Sequence, residues 1–203
     1  MKNEKEIFNK VFEMFCSYGI KSLTMSDIAY KLGISKKTLY KYVSDKEDLV
    51  KKVFSELEKP HKIKEMLSEN LSAIEQFYLV YNYVIDKIKN YNTHLMFDLK
   101  KHYPQVYENL RERRKEGIIR NIKQNISKGK KEGIYREDIN SDLIANFFYI
   151  KVEALIDYNF VNSNEYSIKE IFRELFKYHI YALVNDKGRT IIKTMKNNEN
   201  NEI

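Results

Sequence analysis

The chain has 203 residues, 43% hydrophobic and 32% charged, with only 6 Gly and 2 Pro. That is enough apolar material for one substantial core or for a small domain joined to a larger one, with few turn formers, and an all-helical soluble fold is expected. The net charge of +7 favours a polyanionic partner without identifying it. The single cysteine, Cys16, excludes an internal disulfide and a Cys-rich metal site.

The first fifteen residues alternate charged and apolar side chains at helical spacing, which is neither a signal peptide nor a membrane anchor. No run of about 18 apolar residues follows, so no transmembrane helix is predicted and a cytoplasmic protein is expected. Ile7, Val11, Phe12 and Phe15 predict a first helix that ends at Gly19. Thr24 then stands as an N-cap, with Asp27 placed to favour the helix N-terminus. Met25, Ile28, Ala29 and Leu32 make that helix's buried face, and Gly33 ends it with a positive φ. Ser35 caps a second short helix predicted over 36–43, in which Leu39 and Val43 face inward and Lys36, Lys37, Thr38, Tyr40, Lys41 and Tyr42 turn outward. Asp45 caps a third, from Lys46 to about Leu57, and Pro60 closes the unit.

Past residue 60 the period stays helical. Leu71, Ile74, Phe77, Tyr78, Tyr81, Val84, Ile85 and Ile88 predict a long buried helix. Asn90 to Asn92 break it. A short helix over about 93–101 and a long one from Pro104 towards Lys131 follow, with Gly129 and Gly133 at the latter's end. A helix over about 140–160 is apolar on more than one side and needs two partners. Ser167 with Glu170 matches a capping box, opening a further helix to Val184. From Lys193 the Asn-rich tail is expected to be disordered.

The segment of about 24–43 is a helix-turn-helix pattern. A recognition helix must be short and rigidly seated to hold its side chains in register within the major groove. Ala29, Gly33, Ile34 and Leu39 supply that seating. The three caps at Thr24, Ser35 and Asp45 are candidate phosphate anchors, with Lys46 beside the last. Candidate DNA-contacting residues are therefore Thr24, Ser35, Lys36, Lys37, Thr38, Tyr40, Lys41, Tyr42 and Lys46.

At these residues the sequence resembles the TetR family of transcriptional regulators. The resemblance is carried by Leu23-Thr24-Met25-Ser26-Asp27-Ile28-Ala29, by Leu32-Gly33-Ile34-Ser35, by Thr38-Leu39-Tyr40 and by Asp45-Lys46-Glu47-Asp48-Leu49. It covers about the first sixty residues. Lys37 stands where the family commonly has a small residue, and Val43 where it commonly has Phe.

The resemblance implies an all-α homodimer: a DNA-binding domain over 1–60, an effector-binding and dimerisation domain over 61–192 and a tail over 193–203. Such a protein is most often a repressor, released from a near-palindromic operator by a small-molecule effector. The helices over about 140–160 and 167–184 would form a four-helix bundle with their mates, and their apolar surfaces agree independently. Leu175 and Ile180 are both expected on that dimer face.

Between the helices over 71–88, 93–101, 104–126 and 140–160 the sequence is rich in Tyr and Phe. A pocket touching Phe77, Tyr81, Met96, Phe97, Tyr149 and Glu153 would suit an apolar or cationic effector, although core packing explains each of these residues as well. The rival reading is an effector-independent structural or adaptor protein of the same fold, for which Arg111, Arg113, Arg114, Lys115, Arg120 and Lys123 offer a basic face. An enzyme is not expected. His94, Asp98 and His102 provide neither a nucleophile with its base nor a metal ligand set, so no catalytic residue, metal or cofactor is predicted.

Overall fold

A computed structural model describes residues 3–57, 67–88, 93–156 and 166–198. Pro60, the Asn90 to Asn92 break and the end of the helix predicted over 140–160 lie outside them. The structure is all-helical and divides into two compact units, one of residues 1–59 and 92–114, the other of 60–91 and 115–203.

In the first unit α1 (Glu4–Tyr18) begins at Asn3, whose side chain accepts the Lys5 N–H, and stops at Gly19 with φ 79°. It is followed by α2 (Met25–Leu32), α3 (Lys36–Leu39) and α4 (Lys46–Leu57). Ile7, Val11, Phe15, Ile28, Leu39 and Val53 are all at most 1% exposed and form one cluster. Burying each such aliphatic or aromatic side chain contributes roughly 1.5–3 kcal/mol. Two further helices, α6 (Thr93–His102) and the first part of α7 (Pro104–Lys131), belong to this unit. Their Leu95, Leu99, Val106 and Leu110 join the same cluster.

The second unit contains α5 (Ala73–Ile88), the remainder of α7, α8 (Ser141–Ile156), α9 (Ile168–Leu183) and α10 (Asp186–Asn198). At its centre the Phe176 ring meets Tyr81 at 5.0 Å, Phe77 at 5.3 Å and Phe148 at 5.4 Å, so α5, α8 and α9 share one aromatic core. Ser167 and Glu170 form the predicted capping box. Ser72 and Glu75 make another set of cap contacts at the start of α5.

Between α7 and α8, Gly133 adopts φ 66° and the chain turns back to pair Tyr135 with Val184 in an isolated antiparallel bridge. The Tyr135 ring lies directly against Gly129, where any side chain would collide with it. Its hydroxyl donates to Asn125 Oδ1 at 2.9 Å, and Asn125 Nδ2 donates to the Ala73 carbonyl at 2.8 Å.

Two expectations change here. Residues 193–198, placed in a disordered tail by their polar composition, are helical. Asn185 caps α10 by accepting the Gly188 N–H, Ile192 is fully buried, and Met195 packs on the core. Ile180, placed on the dimer face with Leu175, is 0% exposed inside its own unit, whereas Leu175 is half-buried at the surface.

Candidate nucleic-acid interface

The helix-turn-helix is built from short-range hydrogen bonds. Thr24 Oγ1 accepts the Asp27 N–H at 3.2 Å while the Thr24 N–H and hydroxyl both donate to Asp27 Oδ2, at 2.8 and 2.6 Å. These bonds to Thr24, side chain before backbone, hold the Asp27 carboxyl below its ordinary range. Gly33 is left-handed, φ 67° and ψ 35°, and the Ile34 N–H reaches the Ala29 carbonyl at 3.0 Å, which turns the chain straight into the next helix. Ser35 Oγ accepts the Thr38 N–H at 3.0 Å and lies 2.9 Å from Thr38 Oγ1. One hydroxyl proton is used between these two oxygens, so the other remains for an acceptor outside.

The recognition helix is shorter than predicted. α3 ends at Leu39, and the Lys41 and Tyr42 N–H groups bond back three residues, to Thr38 and Leu39, in a tighter turn that leads to Val43. Leu39 and Val43 are buried as their spacing implies, so Val43 fills its core position. Lys52 secures the turn from below: its Nζ donates to the Tyr42 carbonyl at 2.7 Å and pairs with Asp48 at 3.1 Å. Asp45 Oδ1 accepts the Asp48 N–H at 2.8 Å and so caps α4.

Lys36, Lys37 and Lys41 are exposed, Tyr40 is 42% exposed, and Thr38 is half-buried. Lys36 Nζ lies 5.9 Å from the Tyr40 ring centroid, a cation–π arrangement that pre-orders both side chains. Tyr42 differs, since part of its ring packs on the core cluster. Lys46 is half-buried. Its desolvation depresses the ammonium pKa, and the nearby Asp27 carboxylate opposes that shift.

Tyr30 was not anticipated from the pattern. It stands 86% exposed on the outer side of α2, while the neighbouring Lys31 lies over the Tyr18 ring at 4.2 Å. The signal was present: with Met25, Ile28, Ala29 and Leu32 inward, position 30 must point out.

In the second unit a cavity of about 350 Å³ opens among α5, α7, α8 and α9. Of the six residues suggested for a pocket, Phe77 alone is part of its wall. Tyr81 belongs to the aromatic core, and Met96 and Phe97 lie in the other unit. The actual wall includes Phe148, Phe172 and Phe176 together with Asn121, Gln124 and Lys128. On another surface of this unit Leu143, Phe147 and Ile150 of α8 are more than half exposed, and Tyr178 of α9 is 70% exposed. A groove between these helices carries Leu155, Ile171, Leu175 and Tyr178.

Among the described residues no helix is long and apolar enough to cross a membrane. Residues 7–53 match the family model of bacterial regulatory proteins of the TetR family. No curated protein matched the sequence. The whole chain is similar in fold to solved structures of low sequence identity. A TetR-family transcriptional regulator from Marinobacter aquaeolei VT8 superposes with a TM-score of 0.71 at 18% identity over 97% of this chain and 98% of that one. The transcriptional regulator FadR from Bacillus subtilis, in complex with stearoyl-CoA, gives 0.67 at 17% identity over 89% and 99%. A transcriptional regulator from Saccharomonospora viridis in complex with choline gives 0.64 at 16% identity over 90% and 97%. From residue 7 to residue 53 the protein carries the helix-turn-helix domain of the TetR family, within the all-helical fold of TetR-family transcriptional regulators.

Proposed function

We propose that the protein is a sequence-specific DNA-binding repressor that works as a homodimer and leaves a near-palindromic operator when a small molecule binds. The observation that carries this reading is the seating of α3. One helical turn is fixed between left-handed Gly33 and the capped start of α4, with Lys36, Lys37 and Tyr40 outward, inside the segment that matches the family model.

The proposed DNA contacts are Thr24, Ser35, Lys36, Lys37, Thr38, Tyr40, Lys41, Tyr42 and Lys46. Their roles divide by what each side chain has left to offer. Lys36, Lys37 and Lys41 bring charge to the phosphates and base edges, and Tyr40 brings a flat surface with a hydroxyl. The Ser35 and Thr38 pair retains one proton for a phosphate oxygen. Thr24 and Tyr42 act mainly by holding the motif, since the Thr24 hydroxyl is committed to its cap and the Tyr42 ring to the core. Lys46 reaches a phosphate from the start of α4.

DNA contact belongs to residues 1–60, effector binding and dimerisation to residues 61–192, in a cytoplasmic protein that is not an enzyme. The dimer forms through the regions of about 140–160 and 167–184, of which 157–165 lie outside the described residues. Leu143, Phe147 and Ile150 fall at spacings of four and three, and Ile171, Leu175 and Tyr178 repeat the interval, which suits a bundle with a second copy. The 350 Å³ cavity supports a small-molecule effector over an effector-independent adaptor, which would have no use for it.

The test is to select fragments bound by the full-length protein from random duplex DNA and footprint the winners. An inverted repeat with half-site centres one helical turn or a multiple apart is expected. Equal affinity for selected and scrambled fragments would overturn the proposal.

A further inference from the structure

We propose that the effector is a small uncharged amphiphile, a hydrocarbon body ending in an amide or hydroxyl that is held by Asn121, with Gln124 at the exposed rim. The inference rests on the effector reading above and narrows it. It departs from the cationic compound that the aromatic residues alone suggest.

Size comes first. At 350 Å³ the cavity lies near the lower end of the roughly 300–1,000 Å³ found for small-molecule sites. Phe77 of α5, Phe148 of α8, Phe172 and Phe176 of α9, and Ile118 and Ile122 of α7 make most of its wall apolar.

The polar part of the wall comes largely from α7, where Asn121, Gln124, Asn125 and Lys128 fall at intervals of three and four on one side of the helix. Two of the four are already committed. The Asn125 amide spans Ala73 and Tyr135 through both of its polar atoms. Lys128 is paired with Glu132 at 3.1 Å and donates to the Glu69 carbonyl at 3.2 Å. Gln76, on α5, donates to the Ser68 carbonyl at 2.9 Å. Among the described residues the Asn121 and Gln124 amides make no hydrogen bond, so each offers a donor and an acceptor to whatever enters.

Charge then selects the head group. No carboxylate lines the cavity among the described residues, and its one charged wall residue is Lys128. An ammonium would lose its hydration there without a counter-charge, against a lysine that offsets the attraction of the phenylalanine faces. A carboxylate would find Lys128 already paired with Glu132. An amide or hydroxyl meets neither penalty and gives the half-buried Asn121 amide a partner.

Four probes with one eight-carbon chain separate these cases: octanamide, 1-octanol, octanoate and octylammonium, titrated calorimetrically into the full-length protein at pH 7.5. Octanamide is expected to bind most tightly, 1-octanol next, and both charged probes about tenfold or more below octanamide, the loss that goes with an uncompensated charged or polar group. Asn121→Asp, close in size, should bring octylammonium above octanamide, and Asn121→Leu should erase the advantage of octanamide over 1-octanol. A charged probe that matches octanamide on the unsubstituted protein, an order unchanged by Asn121→Asp, or no binding by any of the four would overturn the inference. The same titrations with operator fragment present keep it apart from the functional reading. Binding in the expected order without DNA release supports the ligand class assigned to the cavity and refutes effector control, whereas release by octylammonium alone does the reverse.

Discussion

Protonation of His179 should make the protein acid-labile in a window set by one side chain. His179 is 6% exposed on α9, its ring 4.4 Å from that of Phe148 and stacked at 5.6 Å on that of Phe77. Burial, reinforced by the nearby Lys151 ammonium, pushes its pKa down to about 3. In the unfolded chain an imidazole titrates near 6.5, so the folded state excludes a proton that the unfolded state accepts. Stability from this group is therefore complete above pH 6.5 and is lost as pH falls from there towards 3. Between pH 7.5 and pH 5 the loss integrates to ~2 kcal/mol per protomer. Urea unfolding at one fixed protein concentration measures this at both pH values for the protein and for His179→Leu. The protein should lose ~2 kcal/mol more than the variant over that interval. Equal losses would show that the imidazole is solvated or finds a proton acceptor in the fold.

Tyr40→Ala should abolish specific binding to the selected operator while leaving the dimer intact, and gel shifts at moderate salt with unchanged affinity would refute that. Lys46→Ala should lower the salt slope of DNA binding by about one unit, as for one lost phosphate contact, whereas Tyr40→Ala should chiefly relax specificity. Leu175→Glu should yield folded monomers by sedimentation, but Ile180→Glu should unfold the second unit, because its carboxylate would be buried without a partner. Gly129→Ala should lower the thermal midpoint by several degrees, since a methyl there meets the Tyr135 ring, and an unchanged midpoint would mean the bridge to Val184 moves freely.

What was legible in the sequence is what local chemistry decides. Thr24 with Asp27, Gly33, Ser35 and the Ser167 and Glu170 box each act within a few residues, and each does in the structure what its type and spacing imply. The length of α3 was not legible, because Tyr40 to Tyr42 suit a helix or a tight turn and the Lys52 bond that favours the turn comes from ten residues away. The cavity wall was hidden for a similar reason. Asn121 looks like a solvated position of a basic helix until α5, α8 and α9 are placed around it, whereas Gln124 stays exposed at the cavity's rim. Ile180 and Leu175 share one apolar pattern, and only packing separates the core side from the open side. The polar composition of residues 193–198 concealed α10, whose helix depends on the Asn185 cap and on Ile192 reaching a core assembled far along the chain.

The single turn of α3 also limits how much information one copy of the protein can read. Three outward side chains, each fixing one base pair, supply about six bits, whereas one address among some 10⁶ competing sites needs about twenty. Two copies reach about twelve. The remaining eight or so must come from the other proposed contacts, such as Thr38 and Lys41, and from features that no side chain touches, such as groove width and the ease of bending between the half-sites. Substitutions in the untouched centre of the operator should therefore weaken binding about as much as substitutions under Lys37 or Tyr40.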